Sequence, residues 1–376
     1  MTAYGGEMTK ERRKITVGLL FGGRSAEHEV SRASAANILR ALNSDRYDVY
    51  LIGISRDGRW FACDSGNGAG TGSTALTISD EAPEIGLVPG GRGRLVHCDG
   101  PTGSDAGSID VAFPILHGPN GEDGTVQGAL ELADVSFVGS SVTGSAVAMD
   151  KEVSKRLMRD AGLPVVPFLT TTASSRIEYA AAVAALGTPD LFVKPANLGS
   201  SVGVSRARSE EEFAASCALA FRYDRKILVE QALNGAREIE CSVLEESTGD
   251  IRASGLGEIV PASEHGFYSY QAKYIDADGA ALHIPADLPL LQARRLQELA
   301  VEVFNVLCCE GMARVDFFVQ GDEVFVNEAN TLPGFTWSSM YPKLWEASGL
   351  SQTDLMDKLI AHAFARHERR RALSFG

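Results

Sequence analysis

The stretch ARVDFFVQGDEVFVNEANTLPG, residues 313–334, holds two apolar runs separated by a short polar segment. The runs span residues 315–319 and 324–326, and the sequence QGDE between them is typical of a tight turn. Apolar runs on both sides of a turn predict a β-hairpin. The other motifs of the chain can be interpreted in relation to this hairpin.

The polar residues of this hairpin are predicted to share one face. With the turn centred on Asp322, Asp316 falls opposite Glu328 and Arg314 falls opposite Asn330. Directly opposite residues lie on the same face of a sheet, and so do residues two apart along a strand. The other face receives the residues expected in the core, with Asn327 as its one polar member: Val315, Phe317, Val319, Phe325 and Ala329.

These polar side chains indicate a metal or anion site. Two carboxylates, Asp316 and Glu328, and the amide oxygen of Asn330 are hard ligands of the kind that Mg²⁺ prefers, and Mg²⁺ shares its other positions with water and phosphate oxygens. Arg314 beside them suits an anion or a developing oxyanion. A solvated polar face of an exposed hairpin explains the pattern as well, so the remaining chain has to decide.

The composition excludes several classes of function. The chain has 376 residues, 44% hydrophobic and 22% charged, which is typical of a globular protein of two or three domains. Its formal net charge of −14 argues against nucleic-acid binding. The first residues lack the apolar segment of a secretory signal, and no apolar run approaches the roughly 18 residues of a membrane span. The six cysteines form no C-x-x-C pair, as expected of reduced thiols in a cytoplasmic protein.

The N-terminal region has the pattern of a βαβ unit. A short apolar strand at residues 14–21 ends in two glycines, a helix follows, and a second strand covers residues 49–55. The glycine turn is not G-x-G-x-x-G, but it lies at the carboxyl end of a strand, where open α/β sheets place ligands. Glu27 at the helix mouth either favours the helix dipole or holds the ammonium group of a ligand.

A later strand of this region, residues 111–116, also ends in a polar, glycine-rich loop. The loop HGPNGEDG contains His117, which is either a hydrogen-bonded structural residue or a functional one, and a helix at residues 125–132 follows. Between these parts, residues 64–108 are rich in Gly, Ser and Thr and predict a loosely built surface insertion.

The middle of the chain contains a lysine beside a glycine- and serine-rich loop. Lys194 lies in a predicted strand, residues 191–196, and the loop 197–204 behind it either folds over phosphate oxygens or forms a plain turn. The next strand, residues 226–230, ends at Glu230, where an exposed backbone edge could receive an adenine ring or simply end the strand.

Several longer elements complete the pattern. A helix is predicted for residues 145–161, with Lys151 near its start, a long amphipathic helix for 289–307 and a final helix for 351–366. Residues 258–283 have few packing residues, and so long an irregular stretch is typical of a lid or binding loop.

Motifs throughout the chain resemble those of the D-alanine–D-alanine ligase family of the ATP-grasp superfamily. The resemblance spans nearly the whole chain with the motifs in the same order, which makes chance similarity very improbable. It implies an α/β, three-domain ATP-grasp fold whose N-terminal domain has a parallel sheet, with domains at residues 1–139, 140–234 and 235–376. The motifs are GGRSAEHEVS (22–31), LHGPNGEDG (116–124), MDK (149–151), VKPANLGSSVGV (193–204), EQALNGAREIE (230–240), ARVDFF (313–318) and NEANTLPGFT (327–336).

The resemblance implies which residues bind nucleotide and metal. Lys151 and Lys194 are similar to the lysines that bind the phosphates of ATP, and Ser200 to a residue of the loop that covers them. The residues that correspond to the adenine and ribose contacts are Glu230, Gln231, Leu233 and Glu238. Those that correspond to the Mg²⁺ ligands, where Mn²⁺ can substitute, are Asp316, Glu328 and Asn330.

The resemblance also implies which residues bind the amino acids. Glu27 and His117 resemble residues that hold the first D-alanine, and Ser339 resembles one that holds the carboxylate of the second. Arg314 and the N–H of Gly334 resemble an oxyanion hole, and Lys273 and Tyr274 parts of a closing lid. The implied catalytic set is Glu27, Ser200, Tyr274, Arg314 and Gly334.

The function implied by the resemblance is ATP-dependent joining of two D-alanines through an acyl phosphate, for peptidoglycan precursor synthesis. The expected partners are D-alanine, ATP and Mg²⁺, with a monovalent cation as a further candidate, in a cytoplasmic homodimer that binds neither nucleic acid nor membrane. Two alternatives remain: a neighbouring ligase that makes a depsipeptide or D-Ala–D-Ser, and a degenerate nucleotide-binding regulator. Tyr274 resembles the dipeptide-forming members, and the complete set of charged motif residues disfavours the regulator.

Overall fold

The computed structural model describes residues 13–64, 75–99, 103–261 and 280–374. Strands and helices alternate through most of these residues, so the predicted α/β class is confirmed. Within these ranges, three sheets of four or five strands form the body of the protein, and a smaller three-stranded sheet lies in the N-terminal region.

The first sheet is the predicted parallel sheet with one antiparallel edge. Its order is β3-β2-β1-β7-β8, and the strands β2, β1, β7 and β8 run parallel. Its strands and helices are β1 (Ile15–Gly22), α1 (His28–Ala41), β2 (Tyr47–Ile54), β3 (Trp60–Cys63), β7 (Val111–Pro114), α2 (Thr125–Leu132) and β8 (Ser136–Phe137).

The insertion predicted to be loosely built contains regular structure. Its described residues form the small antiparallel sheet β4 (Ile85–Leu87), β5 (Arg94–His97) and β6 (Asp105–Ser108). Buried Ile85 and Leu95 of this sheet join a core shared with the first sheet. The prediction was wrong because these strands are only three or four residues long, too short for an alternating pattern to be recognised among so many glycines.

The second sheet is antiparallel and carries helices on one side. Its order is β11-β10-β12-β9, so β12 is a central strand. The elements from this part of the chain are α3 (Val142–Met149), α4 (Lys151–Asp160), β9 (Phe168–Thr172), α5 (Tyr179–Leu186), β10 (Leu191–Pro195), β11 (Ser205–Ala207), α6 (Glu210–Ala220) and β12 (Lys226–Gln231).

The helix predicted for residues 145–161 is in fact two helices with a break at Asp150. Asp150 leaves the helical conformation, and its carboxylate caps α4 by accepting from the backbone N–H groups of Glu152 and Val153. The first residue of α4, Lys151, donates its backbone N–H to Ala196 O at 2.9 Å. The break therefore fixes Lys151 beside the end of β10, the strand that carries Lys194.

The third sheet is antiparallel in the order β15-β14-β13-β16-β17. The irregular stretch predicted for residues 258–283 begins and ends in this sheet, because Glu258–Pro261 belong to β14 and 280–283 form β15. Lys273 and Tyr274 lie outside the described residues. The elements are β13 (Arg237–Glu245), β14 (Ile251–Pro261), β15 (Ala280–His283), α7 (Leu290–Val306), β16 (Met312–Gln320) and β17 (Glu323–Asn330).

The last two helices connect the third sheet back to the first. They are α8 (Met340–Ala347) and α9 (Gln352–Arg371), and α9 is five residues longer than the predicted helix at its C-terminal end. Leu355 and Leu359 of α9 share a buried core with Val17 and Phe113 of the first sheet. The C-terminal part of the chain thus stabilises the N-terminal sheet as well as its own.

Gly144 of α3 allows close contact between that helix and the turn that precedes β16. A Cβ atom there would lie 2.2 Å from the carbonyl oxygen of Cys308, which is a backbone atom that cannot rotate away. Gly128 of α2 offers a matched control, because its nearest neighbour would be a side-chain atom of Val142 at 3.9 Å.

We expect Gly144→Ala to lower the free energy of unfolding by about 1–3 kcal/mol through this overlap. Gly128→Ala should leave stability unchanged or raise it by up to about 1 kcal/mol, because alanine favours a helix. Urea unfolding of both variants measures the difference. Equal stabilities would contradict the close contact.

Candidate active site

The hairpin of β16 and β17 has the predicted pairing at its polar end. Asp316 lies opposite Glu328, and Arg314 lies opposite Asn330. The turn itself differs from the prediction. It is one residue tighter than a turn centred on Asp322, with Gln320 opposite Glu323. A β-bulge between the two ends inserts Asn327 and restores the predicted pairs.

The bulge also explains one wrong assignment in the predicted core. Since one extra residue reverses the alternation of side chains, Val326 takes the buried position and Phe325, which was expected there, lies only partly buried opposite Phe318. Asn327 is not a polar exception in the core. Its Oδ1 atom accepts from Lys194 Nζ at 3.4 Å, at the wall of a cavity.

This cavity of about 460 Å³ lies between the second and third sheets. It is large enough for a ligand of nucleotide size. Its lining includes every residue for which the family resemblance implied a nucleotide contact, together with two of the three implied metal ligands. They are Lys151, Lys194, Ser200, Glu230, Gln231, Leu233, Glu238, Asp316 and Glu328.

The two predicted phosphate-binding lysines each contact a carboxylate at the cavity. Lys151 Nζ lies 3.0 Å from Glu328 Oε2 and donates to Leu198 O at 2.8 Å. Lys194 Nζ lies 2.7 Å from Glu230 Oε2. Burial alone would lower the pKa of Lys151, but Glu328 outweighs it and raises the pKa above its usual value. Lys151 is therefore held charged at the site.

Glu230 is oriented differently from the sequence-based expectation. Its backbone is not at an exposed edge, because β12 pairs with β10 on one side and β9 on the other. Its side chain is buried against lysines, and their charge holds its pKa below the usual value despite the burial. The strand ends one residue later at Gln231, so Leu233 lies beyond the paired region in the cavity wall.

Lys155 belongs to this charged network and was missed by sequence reasoning. Its side chain is 0% exposed, and its Nζ lies 3.1 Å from Glu230 Oε1. The available signal was its position four residues after Lys151, which places both lysines on one face of α4. Burial lowers the pKa of Lys155 to about 8.

Arg314 is enclosed by carboxylates on the hairpin and on β13. Its Nε and one terminal nitrogen donate to the two oxygens of Asp316, both at 2.7 Å, and its Nε lies 3.1 Å from Glu240 Oε2. Asn330 donates its amide N–H to Asp316 at 3.0 Å. Burial alone would lower the pKa of Arg314, but Asp316 and Glu240 raise it well above its usual value. Glu240, on the central strand β13, is a second residue that sequence reasoning missed.

A smaller cavity of about 130 Å³ adjoins the first, and the two share Gly199, Ser200, Glu240 and Glu328 in their walls. Its lining contains the implied amino-acid contacts within the described residues and the implied oxyanion residues. They are Glu27, His117, Arg314, Gly334 and Ser339, with Asn330 beside them. The predicted nucleotide residues and the predicted amino-acid residues thus line two neighbouring cavities.

Glu27, the residue before helix α1, and Ser200 form a contact between the first part of the chain and the loop that follows β10. The hydroxyl of Ser200 donates to Glu27 Oε1. Ser200 and Ser201 adopt left-handed backbone conformations, with φ of 54° and 58°. Non-glycine residues rarely do so, and such strain is common at binding sites.

His117 has a protein partner at each ring nitrogen. Nδ1 lies 3.1 Å from Leu332 O and Nε2 lies 3.4 Å from Ser34 Oγ, which accepts from the backbone N–H of Phe335 at 3.1 Å. Since a carbonyl can only accept, Nδ1 carries the proton and the Ser34 hydroxyl donates to Nε2. Burial lowers the pKa of His117, which agrees with this neutral form. His117 therefore ties α1 to the loop that carries Gly334.

Gly334 and Ser339 lie close together at the other side of the smaller cavity. Ser339 Oγ accepts from the backbone N–H of Thr336 at 2.9 Å, and a Cβ atom at Gly334 would come within 2.8 Å of that oxygen. Only glycine keeps this hydroxyl in place without a shift.

Glu122 is a further residue that sequence reasoning did not single out. It lines the smaller cavity with Glu27, and its Oε2 accepts from the backbone N–H of Gly118 at 2.7 Å. Burial, followed by repulsion from Glu27, raises the pKa of Glu122 to about 8. Part of its side chain remains in contact with solvent. The signal was present in the sequence as one of the two acidic residues of the loop HGPNGEDG.

The hairpin side chains have the chemistry of a Mg²⁺ site, at which the ion would also bind a ligand. Asp316 and Glu328 offer carboxylate oxygens, and Asn330 uses its amide nitrogen toward Asp316. Within the described ranges, no group of three or more His, Cys, Asp or Glu side chains forms a metal cluster. Two carboxylates and an amide oxygen leave positions for water and phosphate oxygens, as Mg²⁺ sites usually do.

Comparison with known proteins identifies relatives over nearly the whole chain. Residues 16–140 match the family model "D-ala D-ala ligase N-terminus", and residues 157–361 match "D-ala D-ala ligase C-terminus". A D-alanine–D-alanine ligase of Bradyrhizobium sp. (strain ORS 278) is 61% identical over 368 residues, which covers 98% of this chain and 99% of that protein.

Two solved structures are similar in fold and sequence. The D-alanine–D-alanine ligase from Coxiella burnetii has a TM-score of 0.81 at 36% identity, covering 95% of this chain and 96% of that one. A D-Ala:D-Ser ligase from Enterococcus faecalis has a TM-score of 0.79 at 33% identity, covering 93% of this chain and 100% of that one. In the part of the chain that the structure describes, none of the helices is both long and apolar enough to span a membrane.

The raised pKa of Glu122 predicts a specific pH dependence of stability. Between its usual value of 4.5 and about 8, the folded protein holds a proton that the unfolded chain has released. The free energy of unfolding therefore falls as pH rises through this window, by at most about 1.4 kcal/mol per pH unit. Glutamine does not titrate, so Glu122→Gln does not lose stability through this group. From pH 5 to 8 the stability of Glu122→Gln should therefore increase relative to that of the unsubstituted protein.

Urea unfolding at several pH values measures this difference, with exposed Glu81→Gln as the control. Parallel stability curves for the protein and Glu122→Gln would show that Glu122 does not retain a proton in the folded state.

Proposed function

The chain belongs to the D-alanine–D-alanine ligase family, which makes it a ligase of peptidoglycan precursor synthesis, and we propose how its residues carry out the reaction. The family and the ATP-grasp fold predicted from the motifs are thereby confirmed. The observation that carries the residue-level proposal is the pair of adjoining cavities. One carries lysines suited to a triphosphate, and the other carries carboxylates and Arg314, suited to amino acids.

In the proposed reaction, the γ-phosphoryl group of ATP passes to a carboxylate oxygen of the first D-alanine, and ADP leaves. The neutral amine of the second D-alanine then attacks the carbonyl carbon of this acyl phosphate. The C–O bond to phosphate breaks, phosphate leaves, and the amine loses a proton. Both cavities must be filled for these steps to occur. The wall that they share at Ser200 and Glu328 would bring ATP and the first D-alanine together.

Lys151 and Lys194 would bind the phosphate oxygens and compensate the charge that develops on them. Each of these lysines contacts a carboxylate, so an incoming phosphate would replace a protein carboxylate as the anion beside the lysine. Mg²⁺, held by Asp316, Glu328 and Asn330, would supply further charge stabilisation for the transferred group. Of the four residues implied as base and ribose contacts, Gln231, Leu233 and Glu238 would bind these groups from the far wall of the larger cavity. The carboxylate of the fourth, Glu230, contacts Lys155 and Lys194 instead.

In the smaller cavity, Glu27 would hold the ammonium of the first D-alanine, with Ser200 fixing its orientation. Arg314 and the backbone N–H of Gly334 would stabilise the oxyanion, and Ser339 would bind the carboxylate of the second D-alanine. His117 would act by holding the loop of residues 332–335, because both its ring nitrogens have protein partners. Lys273 and Tyr274, outside the described residues, remain proposed contacts on the basis of the motifs alone.

The wider expectations are part of the same proposal. We propose the division at residues 139 and 234, supported by the separate sheets on either side of each boundary. A cytoplasmic location is supported by the six free thiols, and a homodimer by the family resemblance. Mn²⁺ as a substitute for Mg²⁺ and a role for a monovalent cation rest on that resemblance as well.

D-serine is a second candidate for the second substrate, because a D-Ala:D-Ser ligase is among the similar structures. We expect purified protein to release phosphate from ATP only when D-alanine is present. With D-alanine, D-serine and D-lactate in competition, D-alanyl-D-alanine should be the main product. Mass spectrometry of the products decides, and a dominant D-Ala–D-Ser or depsipeptide product would assign the chain to the alternative activity. Phosphate release that does not depend on D-alanine would contradict ligase activity altogether.

Glu328→Gln should separate nucleotide binding from phosphoryl transfer. We expect ATP binding to persist through the lysines, while D-alanine-dependent ADP formation falls by roughly 10²–10³ because a charged group at the transferred phosphate is lost. Glu323→Gln, an exposed residue of the same strand, is the control and should be fully active. Turnover of Glu328→Gln at the unsubstituted rate would refute the metal assignment.

A further inference from the structure

The lysines of α4 have unequal surroundings. Lys151 lines the larger cavity, whereas Lys155, one turn later, does not line it and has no exposed surface. Lys155 nevertheless reaches the site indirectly, because its Nζ lies 3.1 Å from Glu230 Oε1. The other oxygen of the same carboxylate, Oε2, lies 2.7 Å from Lys194 Nζ. Glu230 is therefore a bridge between a cavity lysine and a fully enclosed one.

From this bridge we propose that Lys155 is a positioning residue, which neutralises Glu230 so that Lys194 remains available to a phosphate group of ATP. This inference rests on the proposed function, and it adds a residue for which the motif resemblance implied no role.

The charge balance of the network supports this role. Three ammonium groups, those of Lys151, Lys155 and Lys194, face the two carboxylates of Glu230 and Glu328. Without Lys155, two ammonium groups would face two carboxylates, and each cavity lysine would be fully compensated by its own partner. An anionic ligand would then have to compete with Glu230 for Lys194. The excess positive charge contributed by Lys155 removes that competition.

Energetics argue against a purely structural role for Lys155. Removing a lysine from water costs several kcal/mol, and a buried ion pair often stabilises a protein less than apolar side chains of the same size would. The pKa of about 8, lowered by burial, reports this cost. Lys155→Met together with Glu230→Gln would fill the same space without this cost. Stability is therefore a weak explanation for the ion pair, whereas the contact of Glu230 with Lys194 connects it to the cavity.

Geometry also explains why Glu230 cannot simply turn away from Lys194. It lies on the central strand β12, directly opposite Phe192 of β10 and Phe168 of β9. Lys194 extends from the neighbouring strand β10, and its contact with Asn327 Oδ1 is long at 3.4 Å. Glu230 is consequently the strongest contact of Lys194, and whatever weakens the hold of Glu230 frees Lys194 for a ligand.

The test is a double-mutant cycle with Lys155→Met, Glu230→Gln and the double variant, read out as the affinity for Mg²⁺–ATP without D-alanine by titration calorimetry. We expect Lys155→Met to bind ATP at least ~10-fold more weakly, and its thermal midpoint should fall because Glu230 stays buried with one cation fewer. Adding Glu230→Gln should restore most of the affinity, since the charge that Lys155 neutralised is then absent. If Lys155 acted only through packing, adding Glu230→Gln would not restore the affinity for ATP.

Lys226→Met is the matched control. Lys226 also forms ion pairs near the start of α4, with Asp150 and Glu152 at 2.6 and 2.7 Å, but it does not line the cavity. The Lys226→Met variant should bind ATP with the affinity of the unsubstituted protein. The KM for D-alanine should not change in Lys155→Met, because the smaller cavity does not contain Lys155 or Glu230.

Four outcomes would overturn the inference. Unchanged ATP affinity in Lys155→Met would show that Glu230 does not restrain Lys194, and a further loss in the double variant would show that Glu230 itself binds the ligand. If Lys155→Met does not fold, the double variant alone decides: an affinity within a few-fold of the unsubstituted protein supports the inference, and a loss above ~10-fold overturns it. An unsubstituted protein that binds no ATP would refute the proposed function together with this inference.

Discussion

Asp316 and Glu328 lie opposite each other only because β17 contains one extra residue, Asn327. The turn at Gly321 and Asp322 sets a register that would bring other residues face to face, and the bulge corrects it before the strand reaches the cavity. A bulge is therefore part of the site, not a defect of the sheet. It aims two carboxylates at the cavity while Val326 keeps the core filled on the opposite side.

Charge compensation follows from this geometry. The hairpin carboxylates and the enclosing Glu230 and Glu240 would be costly to bury alone, and each has a cation in contact: Arg314, Lys151, Lys155 or Lys194. Lys151, Lys194 and Arg314 line the cavities, so their ion pairs are contacts that a phosphate or a carboxylate can replace, whereas the enclosed pair of Lys155 and Glu230 is not. Stability without ligand and affinity for ligand thus come from the same side chains.

The sequence was sufficient for the fold class and for the residues that carry recognisable motifs. Local alternation predicted the hairpin and placed Asp316 opposite Glu328, although the turn that was assumed is not the one that forms. Phe325 was misplaced because a bulge leaves no mark in the pattern of apolar residues. Lys155, Glu240 and Glu122 were not singled out because their importance depends on which strand or loop lies against them. Burial and pairing across 75 residues, as between Lys155 and Glu230, are not visible in local spacing.

The arrangement of the contacts between sheets explains how one reaction can use two cavities. Glu27 comes from the first sheet, Ser200 from the second and Glu328 from the third, and all three reach the region where the cavities meet. The hydroxyl of Ser200 spans the first two parts by donating to Glu27, and Lys151 spans the second and third by contacting Glu328. A relative shift of any part would alter both cavities at once, because these two contacts join wall residues of different parts. In the proposed reaction the transferred phosphate would pass between the cavities, so a site built across three sheets makes its geometry depend on all of them being in place.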